Sequence, residues 1–357
     1  MEVKSVVLKN FRNYESRRVE FSSGLNVIYG ENALGKTNLL ESIYLCGVGK
    51  SPRTNKDKDM IKMGTSGFSV SLTVQKEYRQ HTVDYRLNDK GEKRILIDGG
   101  SISRIGELMG VLNVVYFSPD ELKMVKESPQ ERRRFMDISL CQQSKLYFYT
   151  LSKYNKLLQN RNRLIKEKSL DYLADVLGVW DSQLAEAGAR VVMARKAFIS
   201  TINPLADKIH KSIAGGDGLV LKYETSLSSD TLQDMQKELE ERLREGLAKE
   251  KALGYTLCGP HREDFSISSE GIELRTFGSQ GQQRTASLVI KLAELEYFKK
   301  ETGERPVLIL DDVLSELDDK RREKLLMATR GTQTLLSCTE YRESEPATLI
   351  KAGAESR

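Results

Sequence analysis

The stretch GENALGKT, Gly30 to Thr37, constrains this chain more than any other. It fits G-x-x-x-x-G-K-[ST] in full. The strand-like LNVIY precedes it, and TNLLESIYLCGVG follows with the character of a helix. In that context the residue types have a physical reason. Gly30 and Gly35 permit a tight turn and let backbone N–H groups approach phosphates. Lys36 places a charge on the β- and γ-phosphates, and Thr37 offers a hydroxyl to Mg²⁺. The helix adds the positive end of its dipole. The alternative is a chance glycine-rich turn, but the flanking strand and helix are what a phosphate loop requires. An α/β fold follows.

VLILDD, Val307 to Asp312, reads as a buried parallel strand ending in two acids. Ligands bind at the carboxyl ends of such strands. Asp311 is therefore expected to hold Mg²⁺, directly or through a bound water, and Asp312 to polarise an attacking water. Alone, both acids would more simply cap the next helix. Beside GENALGKT, the catalytic reading is preferred.

The chain has 357 residues. Single cores stop growing at roughly 250–300 residues, so two domains are expected. VKSVVLKNF, FSVSLTVQKEY, TVDYRLN and RILIDGG alternate like antiparallel strands, and VLNVVYF like a buried one. From about Leu122 to Leu253 the period turns helical, with AGGDG read as a loop and LVLKYETS as one possible strand. A mixed pattern then returns, with TQTLLSC as the last strand. The expected division is an N-terminal head part over 1–122, a helical insert over 123–253 and a C-terminal head part over 254–357.

The net charge of +5 decides little alone. From Lys123 to Lys168, however, 12 Lys/Arg face 4 Asp/Glu. Cys46, Cys141, Cys258 and Cys338 lie far apart, without a CxxC, and His81, His210 and His261 do not cluster with them. No zinc site or disulfide framework is suggested, and a reducing compartment fits. No apolar run approaches the roughly 20 residues that span a bilayer, so a cytoplasmic location and no membrane partner are expected.

TFGSQGQQRT, Thr276 to Thr285, begins another helix without an acid in its first turn, where the dipole favours one. It reads as an uncapped start awaiting an anion.

KNFRNY, GENALGKTNLLESIY, KSPRTNKDKDMI, FSPDELKMVKESPQERRRFMD, GPHREDF, TFGSQGQQRT and VLILDDVLSELDD occur here in the order seen in the RecF family. The chain resembles that family of bacterial recombinational-repair ATPases, related to SMC and ABC-type ATPases, over nearly its whole length. The resemblance implies a P-loop, ABC-type ATPase head of mixed sheets and helices with an inserted helical lobe. It implies ATP and Mg²⁺ as ligands and an ATP-dependent homodimer.

On this resemblance Gly30, Glu31, Asn32, Ala33, Leu34, Gly35, Lys36, Thr37 and Asn38 bind ATP, with Arg12 and Asn13 of FRNY nearby. Ser279, Gln280, Gly281 and Gln282 form the signature that meets the other subunit's nucleotide. Ser315 and Asp318 of SELD lie in the D-loop. Family members often carry Gln where Leu34 stands. Thr339 is the available stand-in for the switch histidine of many ABC ATPases. Asp312 replaces a glutamate common in transporters, and this shorter base suggests slow hydrolysis; the resemblance implies that hydrolysis depends on DNA. YFSPDE holds no glutamine where a Q-loop is expected.

The resemblance also implies a role in repair of gapped DNA and stalled forks. The implied partners are double-stranded and single-stranded or gapped DNA, RecR, and RecO and RecA downstream, with RecA loading and SOS induction. Arg132, Arg133 and Arg134, then Lys145, Lys153, Lys156 and Arg163 opposite the Tyr147/Leu151/Tyr154/Leu158 stripe, are the candidate phosphate contacts. The alternatives are a solvated face and, for RRR, pairing with acids. His261 and Arg262 of GPHREDF read as a structural joint. Two other functions remain open: the ATPase subunit of an ABC membrane transporter, and a DNA scaffold in which nucleotide only supports the fold.

Overall fold

The computed structural model describes residues 1–214, 218–341 and 346–353. The chain divides into two compact units. The first comprises Met1–Leu122, Ile209–Gly216 and Arg284–Arg357; the second comprises Lys123–Lys208 and Asp217–Gln283.

The first unit opens with β1 (Glu2–Phe11), β2 (Tyr14–Glu20) and β3 (Leu25–Tyr29), then α1 (Lys36–Val48). Next come β4 (Gly67–Gln75), β5 (Gln80–Asn88), β6 (Lys93–Ile97), β7 (Gly100–Ser101) and β8 (Val114–Phe117). In β4, Phe68, Val70, Leu72 and Val74 are buried and alternate with smaller residues, the pattern of a strand covered on one face. An antiparallel sheet results, in the order β2-β1-β4-β5-β6-β7.

The chain continues through α2 (Leu122–Lys126), α3 (Pro129–Gln143), α4 (Lys145–Glu167) and α5 (Leu170–Ala214). Then follow β9 (Leu219–Glu224), α6 (Leu232–Leu253), β10 (Asp264–Ser269), β11 (Ile272–Glu273), α7 (Leu274–Phe277) and α8 (Gln280–Thr302). The apolar stripes of α4, α5 and α6 meet in one core containing Tyr154, Leu157, Leu184, Leu239 and Leu243. Gly188 permits that approach, since a Cβ there would lie 2.8 Å from the Leu239 side chain. Arg161 is fully buried within this unit. It donates to Asp181 at 2.6 Å, Glu250 at 2.6 Å and Thr256 Oγ1 at 2.8 Å. A buried charge persists only with such partners.

The chain ends with β12 (Val307–Asp311), α9 (Asp319–Ala328), β13 (Thr334–Cys338) and β14 (Ala347–Lys351). These strands complete a parallel sheet in the order β14-β3-β13-β12-β8. All five residues of β12 and of β13 are buried, as their near-continuous apolar character requires.

Two expectations change. TQTLLSC is not the last strand, because ATLIK adds β14 beside β3. The mixed segment after 253 does not all group with the first unit. β10 pairs with β9 from Asp264↔Glu224 to Ser269↔Leu219, which draws residues up to Gln283 into the second unit. Pattern reveals a strand but not its distant partner. Of the expected AGGDG loop, residues 215–217 lie outside the described residues.

Candidate functional site

In the parallel sheet all carboxyl ends lie on one edge. β13 runs between β3 and β12, so the phosphate loop and the acids of VLILDD stand one strand apart. They still meet. Thr37 Oγ1 donates to Asp311 Oδ1 at 2.9 Å, Ser337 Oγ to the same oxygen at 2.7 Å, and Tyr116 OH to Asp311 Oδ2 at 2.7 Å. Three hydroxyls from α1, β13 and β8 thus fix one carboxylate that is 5% exposed. Hydrogen bonds to an ionised acceptor are about twice as strong as neutral ones. Burial, then Asp311 itself, push the Tyr116 phenol well above its usual pKa, so it remains a donor. Tyr116 and Ser337 escaped the sequence reading, which gives no sign of which neighbouring strands will flank β12.

Lys36 Nζ folds across the loop and donates to Gly30 O at 2.6 Å and Glu31 O at 2.9 Å. Glu31, Asn32 and Ala33 are exposed, with Leu34 partly so. Gly35 adopts φ 98°, and a Cβ there would sit 2.7 Å from the Asn13 amide. Asn13 in turn accepts from Asn38 Nδ2 at 2.9 Å, and Tyr14 OH donates to Gly35 O at 3.2 Å. α1 has no acid in its first turn, which leaves its N-terminal dipole for an anion.

Arg12 is placed differently from Asn13. Its guanidinium holds the buried Glu41 carboxylate through two bonds, at 2.9 and 2.6 Å, and donates to Asp59 O at 2.7 Å. That commitment anchors the loop carrying Asn13. Half-exposed Arg53 of KSPRTNKDKDMI, which no sequence motif marks as a site residue, donates to Asn38 Oδ1 at 2.9 Å.

Asp312 is exposed and has φ 55°, a left-handed conformation that costs a non-glycine residue about 1–3 kcal/mol. Its backbone is clamped from both sides. Its N–H donates to Ser337 Oγ at 2.9 Å, and its carbonyl accepts from Ser315 Oγ at 2.7 Å. Asp318 caps α9 by accepting from Arg321 N at 2.9 Å. That bond is the main cause holding its carboxyl below the usual range. Thr339 is exposed just beyond β13.

The second unit carries the GSQGQ segment. α8 begins at Gln280 without an acid in its first turn, but it is not uncapped. Ser279 Oγ accepts from Gln282 N at 3.3 Å, and Ser279 N donates to Gln282 Oε1 at 2.8 Å. This reciprocal S-x-x-Q pair is a capping box, and its spacing was present in the sequence. Ser279 and Gln280 remain exposed, with Gly281 partly so.

The basic residues separate into two groups. Arg132 is 2% exposed and grips Asp264 through two bonds of 2.7 Å, while donating to Met124 O and Glu127 O at 3.1 Å. It is not a free phosphate ligand, which corrects the expectation: the pairing with an acid prevails because burial demands it. Arg133 donates to Glu263 O at 2.8 Å, and Arg134 is exposed beside Glu131. Lys145, Lys153, Lys156 and Arg163 all lie on the exposed face of α4, with Lys153 3.5 Å from Glu186.

His261 is a joint within the second unit. Nε2 donates to Thr256 O at 3.1 Å and Nδ1 accepts from Tyr154 OH at 2.6 Å. Burial pushes its pKa down to about 4, so the ring is neutral. Arg262 lies over the Tyr255 ring at 4.6 Å.

Comparison with known proteins identifies the family and the fold. The RecF/RecN/SMC N-terminal domain model matches residues 2–344. "DNA replication and repair protein RecF" of Lachnoclostridium phytofermentans is 43% identical over 96% of this chain and 94% of its own length. The protein of the same name from Clostridium novyi is 44% identical over 95% and 93%. A solved structure of the recombination mediator protein RecF-ATPrS in the RecFOR pathway superposes with a TM-score of 0.91 at 35% identity, covering 98% of this chain and 95% of the other. The Smc head bound to the C-winged helix domain of ScpA shares the fold at a TM-score of 0.55 and 14% identity, over 95% of this chain and 89% of the other. Among the described residues no helix is long and apolar enough to cross a membrane. The chain belongs to the RecF/RecN/SMC N-terminal domain family, and within it to the RecF proteins.

Proposed function

We propose that the chain is an ATP-switched, DNA-binding ATPase of replication and recombinational repair, and that two copies close on ATP and DNA and separate after hydrolysis. The observation that carries this reading is the Thr37–Asp311 hydrogen bond of 2.9 Å, which joins the phosphate loop to the acids of β12.

Each residue then has a task. The loop N–H groups and Lys36 hold the phosphates, with Lys36 exchanging its carbonyl partners for phosphate oxygens. Thr37 and Asp311 are adjacent hard oxygen donors and fit Mg²⁺, which when bound neutralises charge on the β- and γ-phosphates. Asp312 accepts a proton from the attacking water. Ser279 Oγ already accepts the Gln282 N–H, so its own O–H is available to the γ-phosphate held by a second copy, with Gln280 and Gly281 beside it. Ser315 and Asp318 lie in the D-loop that meets that copy, and Thr339 acts as the switch. ATP drives closure because it contacts both copies only in the closed state.

The exposed α4 face, Lys145, Lys153, Lys156 and Arg163, supplies backbone contacts to double-stranded and gapped DNA. The names of the relatives support a place in replication and repair. RecR and RecO are the expected partners, with RecA loading and SOS induction downstream. Hydrolysis measured with and without gapped duplex tests the reading. Stimulation by DNA is expected, and equal rates would remove DNA from the ATP switch; the transporter alternative is disfavoured by the RecF relatives.

A further inference from the structure

A row of cations crosses the solvent face of the six-stranded sheet. The registers Ser16↔Lys9, Lys9↔Ser69, Ser69↔Arg86 and Arg86↔Arg94 place these residues side by side on β2, β1, β4, β5 and β6. Directly opposed residues share a face. Lys9, Arg86 and Arg94 are exposed, and their neighbours Leu8, Leu87 and Ile95 are buried on the other side. At an interstrand spacing of about 4.8 Å, the row from Lys9 to Arg94 runs roughly 14 Å.

None of these three cations has a hydrogen-bond or ion-pair partner among the described residues. Arg86 and Arg94 stand directly opposite each other, an arrangement that is destabilising in a sheet. The acids nearby form no ion pair with either guanidinium among the described residues. Asp84 is cross-strand from Leu96, Glu92 accepts from Asn88 Nδ2 at 2.7 Å, Glu20 pairs with Arg18 at 3.0 Å, and Asp57 pairs with Lys93 at 2.7 Å. Short hydroxyl side chains, Ser16 and Ser69, complete the row. They add donors of the kind that contact phosphates and leave the surface unobstructed. A sheet that keeps two guanidinium groups opposed and unpaired is arranged for a ligand bearing several negative charges. Duplex DNA presents one charge per about 1.7 Å of its axis, so several phosphates fall within the length of this row.

We infer that the Lys9–Arg86–Arg94 row on the outer sheet face is a DNA phosphate-backbone contact, separate from that of α4. The identity of the ligand as DNA rests on the function proposed above; the demand for a polyanion rests on the row itself.

The test is the full chain with Arg86→Gln and Arg94→Gln together, titrated with a short DNA duplex between about 50 and 200 mM salt. At about 0.9 in slope per phosphate contact, the variant's dependence of log affinity on log salt should be shallower by about two. Over that range the wild type should lose about twelvefold more affinity than the variant. Thermal stability should be unchanged or raised, because a like-charge pair is relieved. Should the double variant fold poorly, Arg94→Gln alone should lower the slope by about one. An unchanged slope with intact ATP-dependent dimerisation overturns this site and leaves the proposed function standing. A wild type with no DNA affinity overturns both. Variant-sensitive binding to phosphatidylglycerol vesicles, with DNA binding untouched, would assign the row to a membrane surface and overturn the DNA contact.

Discussion

Tyr116 donates its hydroxyl to Asp311 Oδ2 at 2.7 Å, from the strand beside the one that carries the acid. Leaving a buried carboxylate oxygen without its donor costs about 1–3 kcal/mol. Tyr116→Phe should therefore lower unfolding stability by about 1–2 kcal/mol in a denaturant titration and reduce ATP turnover. Wild-type stability in that variant would show that the bond contributes nothing net.

Gly35 tests the loop geometry. Gly35→Ala should abolish ATP binding in a calorimetric titration, since φ 98° and the 2.7 Å approach of Asn13 both exclude a Cβ. Adding Asn13→Ala removes the nearest contact but leaves the dihedral strain and Tyr14 Cε2 at 3.0 Å, so, measured against Asn13→Ala alone, affinity should return only in part. Full recovery would mean that the approach alone mattered.

The capping box allows the role of Ser279 to be isolated. Asp is as good an N-cap as Ser, so Ser279→Asp keeps α8 capped while placing a negative charge where a γ-phosphate is expected. Melting temperature and ATP binding by the single chain should stay as in the wild type, while ATP-dependent dimerisation is lost. Dimerisation that survives this substitution would remove Ser279 from the interface.

His261 gives a pH signature. Its folded pKa of about 4 lies below the ordinary histidine value of 6.5, so the unfolded chain binds the extra proton between those values. The contribution is complete above pH 6.5 and is lost as pH falls toward 4. Two and a half pKa units correspond to about 3 kcal/mol. The stability difference between wild type and His261→Asn should shrink over that window when followed by urea unfolding. A difference independent of pH would place the proton elsewhere.

Arg132 and the α4 cations should behave oppositely. Arg132→Ala leaves Asp264 without its partner inside the second unit and should cost about 3 kcal/mol without changing the salt slope of DNA binding. Removing Lys156 and Arg163 should spare stability and lower the slope by about two.

The nucleotide half of this architecture was legible because its chemistry is local. LNVIYGENALGKT carries a strand, a turn and phosphate-binding groups in one short run, and VLILDD a strand and its terminal acids, so β3, α1 and β12 follow from them. What escaped depends on partners distant in sequence. Arg132 reads as a DNA cation until Asp264, 132 residues away, closes on it. Tyr116 and Ser337 become site residues only when β8 and β13 flank β12. Arg161 lies on the stripe of α4 yet is buried, because Asp181, Glu250 and Thr256 arrive from elsewhere. The S-x-x-Q cap at Ser279 is local to the sequence, and its glutamine takes the place of the acid usual in a first helical turn.

The central claim is closure of two copies on ATP. Sedimentation of the full chain with ATP, with and without duplex DNA, tests it most directly. A shift from monomer to dimer with ATP, strengthened by DNA and absent in Lys36→Met, is the expected result. A folded Lys36→Met that still dimerises with ATP on DNA, or a wild type that stays monomeric under both conditions, would contradict it.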